Sequence, residues 1–189
     1  DLIEQGEVKV NGKNDTNPFE KYEFSDLDSL YLRGHPLATT PPLKRAYKYY
    51  KPQGVLCSHD DPHYGRTLGR ILRAEGFIGY KWAGRLDQDS EGLVLLTNDG
   101  QLVHSLTHPK YDIPKVYLIW LSDSLSHGKI GHIIDQLMQG VEDDGDLLQI
   151  DEGGVIDRSN THTQLKLILT EGKKNEIKRM LKAFNLQLM

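Results

Sequence analysis

A short polar run set between apolar ones constrains this chain most. Gly84-Arg85-Leu86-Asp87-Gln88-Asp89-Ser90-Glu91-Gly92 leads into Leu93-Val94-Leu95-Leu96-Thr97, and Asn98-Asp99-Gly100 closes the apolar stretch. Apolar residues bounded by turn formers read as a buried strand. Any sheet this chain builds must carry that charged loop at the entrance to one of its strands. Asp87 then stands on a rigid element beside a cleft, a placement that suits a catalytic carboxylate. Taken alone, an aspartate in a polar turn more often caps nearby backbone groups.

The rest of the chain mixes strands and helices. Leu2 to Gly6 reads as the end of a helix stopped at glycine, and Val8 to Lys13 as an alternating strand with an Asn11-Gly12 turn. Leu30 to Gly34 is a second extended stretch, and Leu37 to Leu43 reads as a linker. Ala46 to Tyr50 reads as a strand ending in the turn Lys51-Pro52-Gln53-Gly54, and Thr67 to Arg73 as a short helix. Leu102, Val103 and Leu106 mark another short helix, and Val116 to Leu121 a strong strand. Ile130, Ile133, Ile134, Leu137 and Met138 follow helical spacing. Leu165, Leu167 and Leu169 alternate as a strand, and Ile177, Met180, Leu181 and Phe184 form one face of a last helix. The fold class that follows is α+β, a mixed and largely antiparallel sheet with packed helices.

Charge narrows the partners. The net charge of −4 argues weakly against a nucleic-acid ligand. Its distribution argues the other way: bases gather at Lys44, Arg45, Lys48 and Lys51, and again at Lys173, Lys174, Lys178, Arg179 and Lys182. Acids gather in Glu142-Asp143-Asp144-Gly145-Asp146. No apolar run approaches the roughly 20 residues of a membrane helix. Cys57 is the single cysteine, so no internal disulfide forms and no thiolate cluster can hold zinc. The histidines have no metal-site spacing, and no glycine-rich phosphate loop opens a helix.

Gly84-Arg85-Leu86-Asp87, with Ser90, Gly92-Leu93 and Thr97-Asn98-Asp99-Gly100 after it, resembles the arginine-leucine-aspartate signature of RNA pseudouridine synthases. The ribosomal-RNA branch of that family, which acts on the small or the large subunit, is the nearest likeness. Ser90 stands where threonine is usual. Three further motifs follow the family's order: Lys51-Pro52-x-Gly54, Lys115-x-Tyr117, and Glu171-Gly172 followed by Ile177-Lys178-Arg179-Met180. The resemblance implies that Asp87 is the catalytic carboxylate of uridine isomerisation, with Asp89 the competing acid. It implies that Tyr117 stacks on a flipped uracil and that Lys178, where arginine is commoner, ion-pairs with Asp87. Arg85 would help flip the nucleotide or hold its backbone, and Ile177 would line the uracil pocket. Lys173, Lys174 and Arg179 would touch phosphates. Lys51 is counted with these RNA-facing cations, and its motif with positioning the cleft wall. The family needs no cofactor and no metal.

By the same resemblance, residues 1–40 are the back half of a small RNA-binding domain, 41–45 a linker, and 46–189 the catalytic domain. Two helices would precede Asp1, and further sheet residues would follow the last helix. The implied partner is ribosomal RNA or an assembling subunit, met in the cytoplasm by a monomer. The Ser58 to Pro62 stretch and Lys178 lean toward the small subunit. A rival reading is an RNA-binding or ribosome-assembly protein without activity; a carboxylate hydrolase would want a second positioned acid.

Overall fold

In the computed structural model, residues 1–122 and 124–189 are described. The chain divides into two compact units, Asp1–Arg45 and Ala46–Met189. The first is a four-stranded antiparallel sheet of β1 (Val8–Val10), β2 (Lys13–Asp15), β3 (Leu30–Leu32) and β4 (His35–Leu37), in the order β2-β1-β3-β4. Asn11 and Gly12 take positive φ angles of 49° and 80°, the conformation a two-residue hairpin turn requires. The Asn11 amide also holds the next loop. It donates to the Asp26 carbonyl at 2.7 Å and accepts from the Asp28 amide at 2.8 Å. Leu2 to Gly6 forms hydrogen-bonded turns rather than the expected helix. A segment this short does not recover the cost of helix nucleation.

In the second unit, β5 (Ala46–Lys51), β6 (Lys81–Ala83) and β7 (Gly92–Thr97) form an antiparallel sheet ordered β5-β7-β6. The helix α1 (Leu68–Ala74) begins at Thr67, whose side chain accepts from the Arg70 amide. Leu68, Leu72, Val55, Val94 and Leu96 form the core of this half, with Leu86 packed against it. Leu93, expected within a buried strand, is 71% exposed, because side chains alternate across β7 and only one face meets this core. Gly69 is needed where it stands. A Cβ there would lie 2.3 Å from the His59 carbonyl oxygen, so only glycine lets the 57–67 loop lie against α1.

After α2 (Gly100–Thr107) comes β8 (Lys115–Leu121), then α3 (His127–Gln139), the hairpin β9 (Val141–Asp143) and β10 (Asp146–Leu148), β11 (Glu152–Arg158), β12 (Thr163–Leu169) and α4 (Glu176–Lys182). A second antiparallel sheet has the order β11-β12-β8. On β12, Leu165, Leu167 and Leu169 are buried in strict alternation. They meet Ile130, Ile133 and Leu137 of α3, and Met180 and Leu181 of α4, in one core. Met138 was expected on that apolar face of α3 but is 42% exposed. The fold class is thus α+β, antiparallel sheets with helices packed on them. Among the described residues no helix is long and apolar enough to cross a membrane.

Candidate active site

The loop before β7 is held from beneath by the turn after β5. Lys51 is fully buried, and its ammonium donates to the Ser90 carbonyl at 2.6 Å and the Pro52 carbonyl at 3.1 Å. The Gly54 amide donates to the Gln88 carbonyl at 2.7 Å, and the Gln53 side chain to the Asp89 carbonyl at 2.8 Å. Three successive carbonyls, of residues 88 to 90, are therefore fixed by residues 51 to 54. Burial pulls the Lys51 pKa below the ordinary lysine value, and the nearby charges of Asp87, Asp89 and Glu91 only partly oppose this. The structure corrects the grouping of Lys51 with RNA-facing cations: a buried ammonium spent on two carbonyls cannot reach a phosphate.

With Leu86 turned into the core, Arg85, Asp87 and Asp89 face an open cleft of about 710 Å³. Its other wall is the segment leading into α4, with Lys174, Asn175 and Lys178. Lys178 Nζ lies 3.1 Å from Asp87 Oδ2 and 2.5 Å from Asp89 Oδ1. Burial would lower the Lys178 pKa, but hydrogen bonds to Asp89 and Asp87 outweigh it and the pKa is raised. The Asp89 carboxyl is held below its ordinary value, chiefly by the hydrogen bond from Lys178.

Sequence reasoning missed Asn175. It takes a left-handed conformation, φ 52° and ψ 29°, just before α4 and makes no capping bond to the helix. With its amide nitrogen turned toward the carboxylate, the orientation the hydrogen bonds require, it donates to Asp87 Oδ2 at 2.8 Å and Oδ1 at 3.2 Å. The one signal in the sequence was an asparagine, a residue tolerant of that conformation, directly before a helix.

Tyr117 on β8 is half-buried against the second core. Its pKa is raised, first by burial and then by the negative charges of Glu176 and Asp87. Ile177 packs against the same core. Glu176 is 5% exposed; its Oε2 accepts from the Lys173 amide at 3.0 Å, and its Oε1 is buried without a partner among the described residues. Burial raises its pKa above the ordinary glutamate value.

The cations expected at phosphates separate into two groups. Arg85 and Lys174 are exposed, line the cleft, and have no hydrogen-bond or ion-pair partner among the described residues. Arg179 instead forks onto the β9–β10 hairpin. It binds Asp143 Oδ2 at 2.5 Å, Asp146 Oδ2 at 2.8 Å and the Asp143 carbonyl at 2.6 Å. Lys173 reaches the same hairpin through the Leu147 carbonyl at 2.6 Å and pairs with Glu171 at 2.8 Å. These two bind acidic chain rather than opening toward the cleft. Among the described residues no group of three potential metal ligands converges.

The family model described as RNA pseudouridylate synthase matches residues 47–183. The chain belongs to the RNA pseudouridylate synthase family. It is 33% identical to the ribosomal small subunit pseudouridine synthase A of Pasteurella multocida over 186 residues, 96% of this chain and 74% of that protein. It is 29% identical to the ribosomal large subunit pseudouridine synthase B of Yersinia pestis, over 99% of this chain and 58% of that protein. Relatives named for either subunit thus match at similar identity. A pseudouridylate synthase crystal structure covers the whole chain and 76% of its own at a TM-score of 0.64 and 28% identity.

Proposed function

We propose that this chain converts a uridine of ribosomal RNA to pseudouridine, with Asp87 as the catalytic carboxylate. The observation that carries the reading is the convergence on Asp87 of Lys178 and Asn175, from a segment some 90 residues away in the chain. An ammonium and an amide aimed at one carboxylate hold it oriented and ready to act on the base or sugar of a bound nucleotide. The N-glycosidic bond breaks, the uracil turns, and it rejoins the ribose through carbon. Atoms are neither gained nor lost, so the reaction needs no redox partner.

The target base must leave its stack to reach Asp87. Tyr117 offers a flat ring for the flipped uracil, and Ile177 packs against the same core. Arg85 and Lys174, which line the cleft and have no partner among the described residues, take the phosphates on either side. The first unit acts as an auxiliary RNA-binding piece, and the reaction takes place in the cytoplasm.

The test is to incubate the chain with ribosomal RNA transcripts and look for both strand cleavage and mass-neutral isomerisation. The reading predicts pseudouridine at one position in intact strands. Cleaved strands would favour a hydrolase; bound but unaltered RNA would favour the inactive binding protein.

A further inference from the structure

Away from the cleft, one cluster of rings is not explained by core packing. After α2 ends at Thr107, the turn Pro109–Tyr111 folds back so that His104, His108 and Tyr111 meet. The ring centroids lie 4.7 Å apart for His104 and His108, 6.0 Å for His104 and Tyr111, and 6.3 Å for His108 and Tyr111. The interplanar angles are 65°, 87° and 78°, so the rings meet edge to face. All three residues are exposed, Tyr111 by 43%. Lys110 Nζ stands over one face of the Tyr111 ring, 4.7 Å from its centre, in a cation–π contact. The Lys110 amide donates to His108 Nδ1 at 3.2 Å and ties the two residues together.

Exposed rings could serve a protein contact, but the composition favours nucleic acid. The cluster is two imidazoles, a phenol and an ammonium, and lysine is depleted in protein interfaces. Exposed rings next to a cation are what a nucleobase and its phosphate require. The position fits as well. Tyr111 lies six residues before Tyr117, a separation of at most about 22 Å even in fully extended chain. Chain connectivity thus keeps Tyr111 near the start of β8, the strand that carries Tyr117. We propose that His104, His108, Lys110 and Tyr111 form a second nucleotide site, which stacks an unpaired base of the RNA flanking the target uridine. This inference rests on the RNA-modifying reading of the cleft.

Affinity of the whole chain for a single-stranded oligouridylate tests it, measured by fluorescence anisotropy over a range of salt concentrations. Tyr111→Leu should weaken binding about tenfold with the salt slope unchanged, because a stacking contact releases no counterions. Tyr111→Trp should bind at least as well as the parent, which a merely structural role for the phenol would not allow. Binding of Tyr111→Leu at parental strength overturns the proposal, as does equal weakening in Tyr111→Trp. So does a change in sedimentation with RNA affinity unaltered, which would make the cluster a protein contact. A parent chain that neither binds RNA nor isomerises it overturns the reading beneath.

Discussion

Lys178 brings its ammonium within 3.1 Å of the Asp87 carboxylate across 91 residues of sequence. The same ammonium is closer still to Asp89, at 2.5 Å. One cation therefore serves two acids, and the Asp87 share of it depends on what Asp89 does. Lys178→Ala should lower isomerisation by about a hundredfold, the usual scale for removing one electrostatic partner of a reacting group. Lys178→Arg should keep most activity, since a guanidinium can also span two carboxylates. Asp89→Asn should leave turnover near the parent's. Rates on a transcribed ribosomal RNA check all three, and an inactive Asp89→Asn would exchange the roles of the two acids.

Asn175 donates to both Asp87 oxygens from a left-handed backbone position. Asn175→Gly keeps that backbone conformation and removes the amide. Hydrogen bonds to charged groups contribute about 1.5–3 kcal/mol, so turnover should fall by about ten- to a hundredfold with thermal stability little altered. A large loss of melting temperature would show instead that the side chain serves folding.

The basic residues near α4 should separate in their salt behaviour. Arg85→Ala and Lys174→Ala should each weaken RNA binding and reduce the salt slope by about one unit. Arg179→Ala should lower thermal stability by releasing the β9–β10 hairpin, with the salt slope unaltered. Binding isotherms at several ionic strengths distinguish the two.

Much of this was legible in the sequence where a local rule and the global packing agree. Asn11-Gly12 makes the hairpin its composition demands, and the isoleucines of α3 fall on one buried face. Strands without such a signature were not readable. β6 is three residues long, β4 contains a proline, and β11 opens on Glu152-Gly153-Gly154 and shifts register between Val155 and Asp157. The β9–β10 hairpin has an Asp144-Gly145 turn with φ of 49° and 80°, yet its acids read as a bare charge cluster. Only the fold shows that Arg179 answers those acids. At the site, Asp87 and Lys178 could be named from motifs. The buried work of Lys51 and the amide of Asn175 depend on which distant carbonyl or carboxylate each one meets.

Glu176 is a buried acid with one oxygen that has no partner among the described residues, and its pKa is raised first by burial. A pKa raised on folding means that the native state binds the proton more tightly than the unfolded state. The stability this gives is complete below the ordinary glutamate pKa and is lost as pH rises through the higher native value. Above that native value the ionised side chain weakens the fold. Glu176→Gln should stabilise the chain there by about 1 kcal/mol, with the advantage shrinking in acid. Denaturant titrations at neutral and acidic pH measure the difference; a destabilised Gln variant at neutral pH would show that the charge is needed.

The account depends above all on one carboxylate. Asp87→Asn keeps the size of the side chain and removes its charge. Pseudouridine formation and RNA affinity, measured together on the same ribosomal RNA, should give turnover reduced by about 10⁴-fold or more with affinity near the parent's. An Asn variant that still forms pseudouridine at a comparable rate would contradict the assignment.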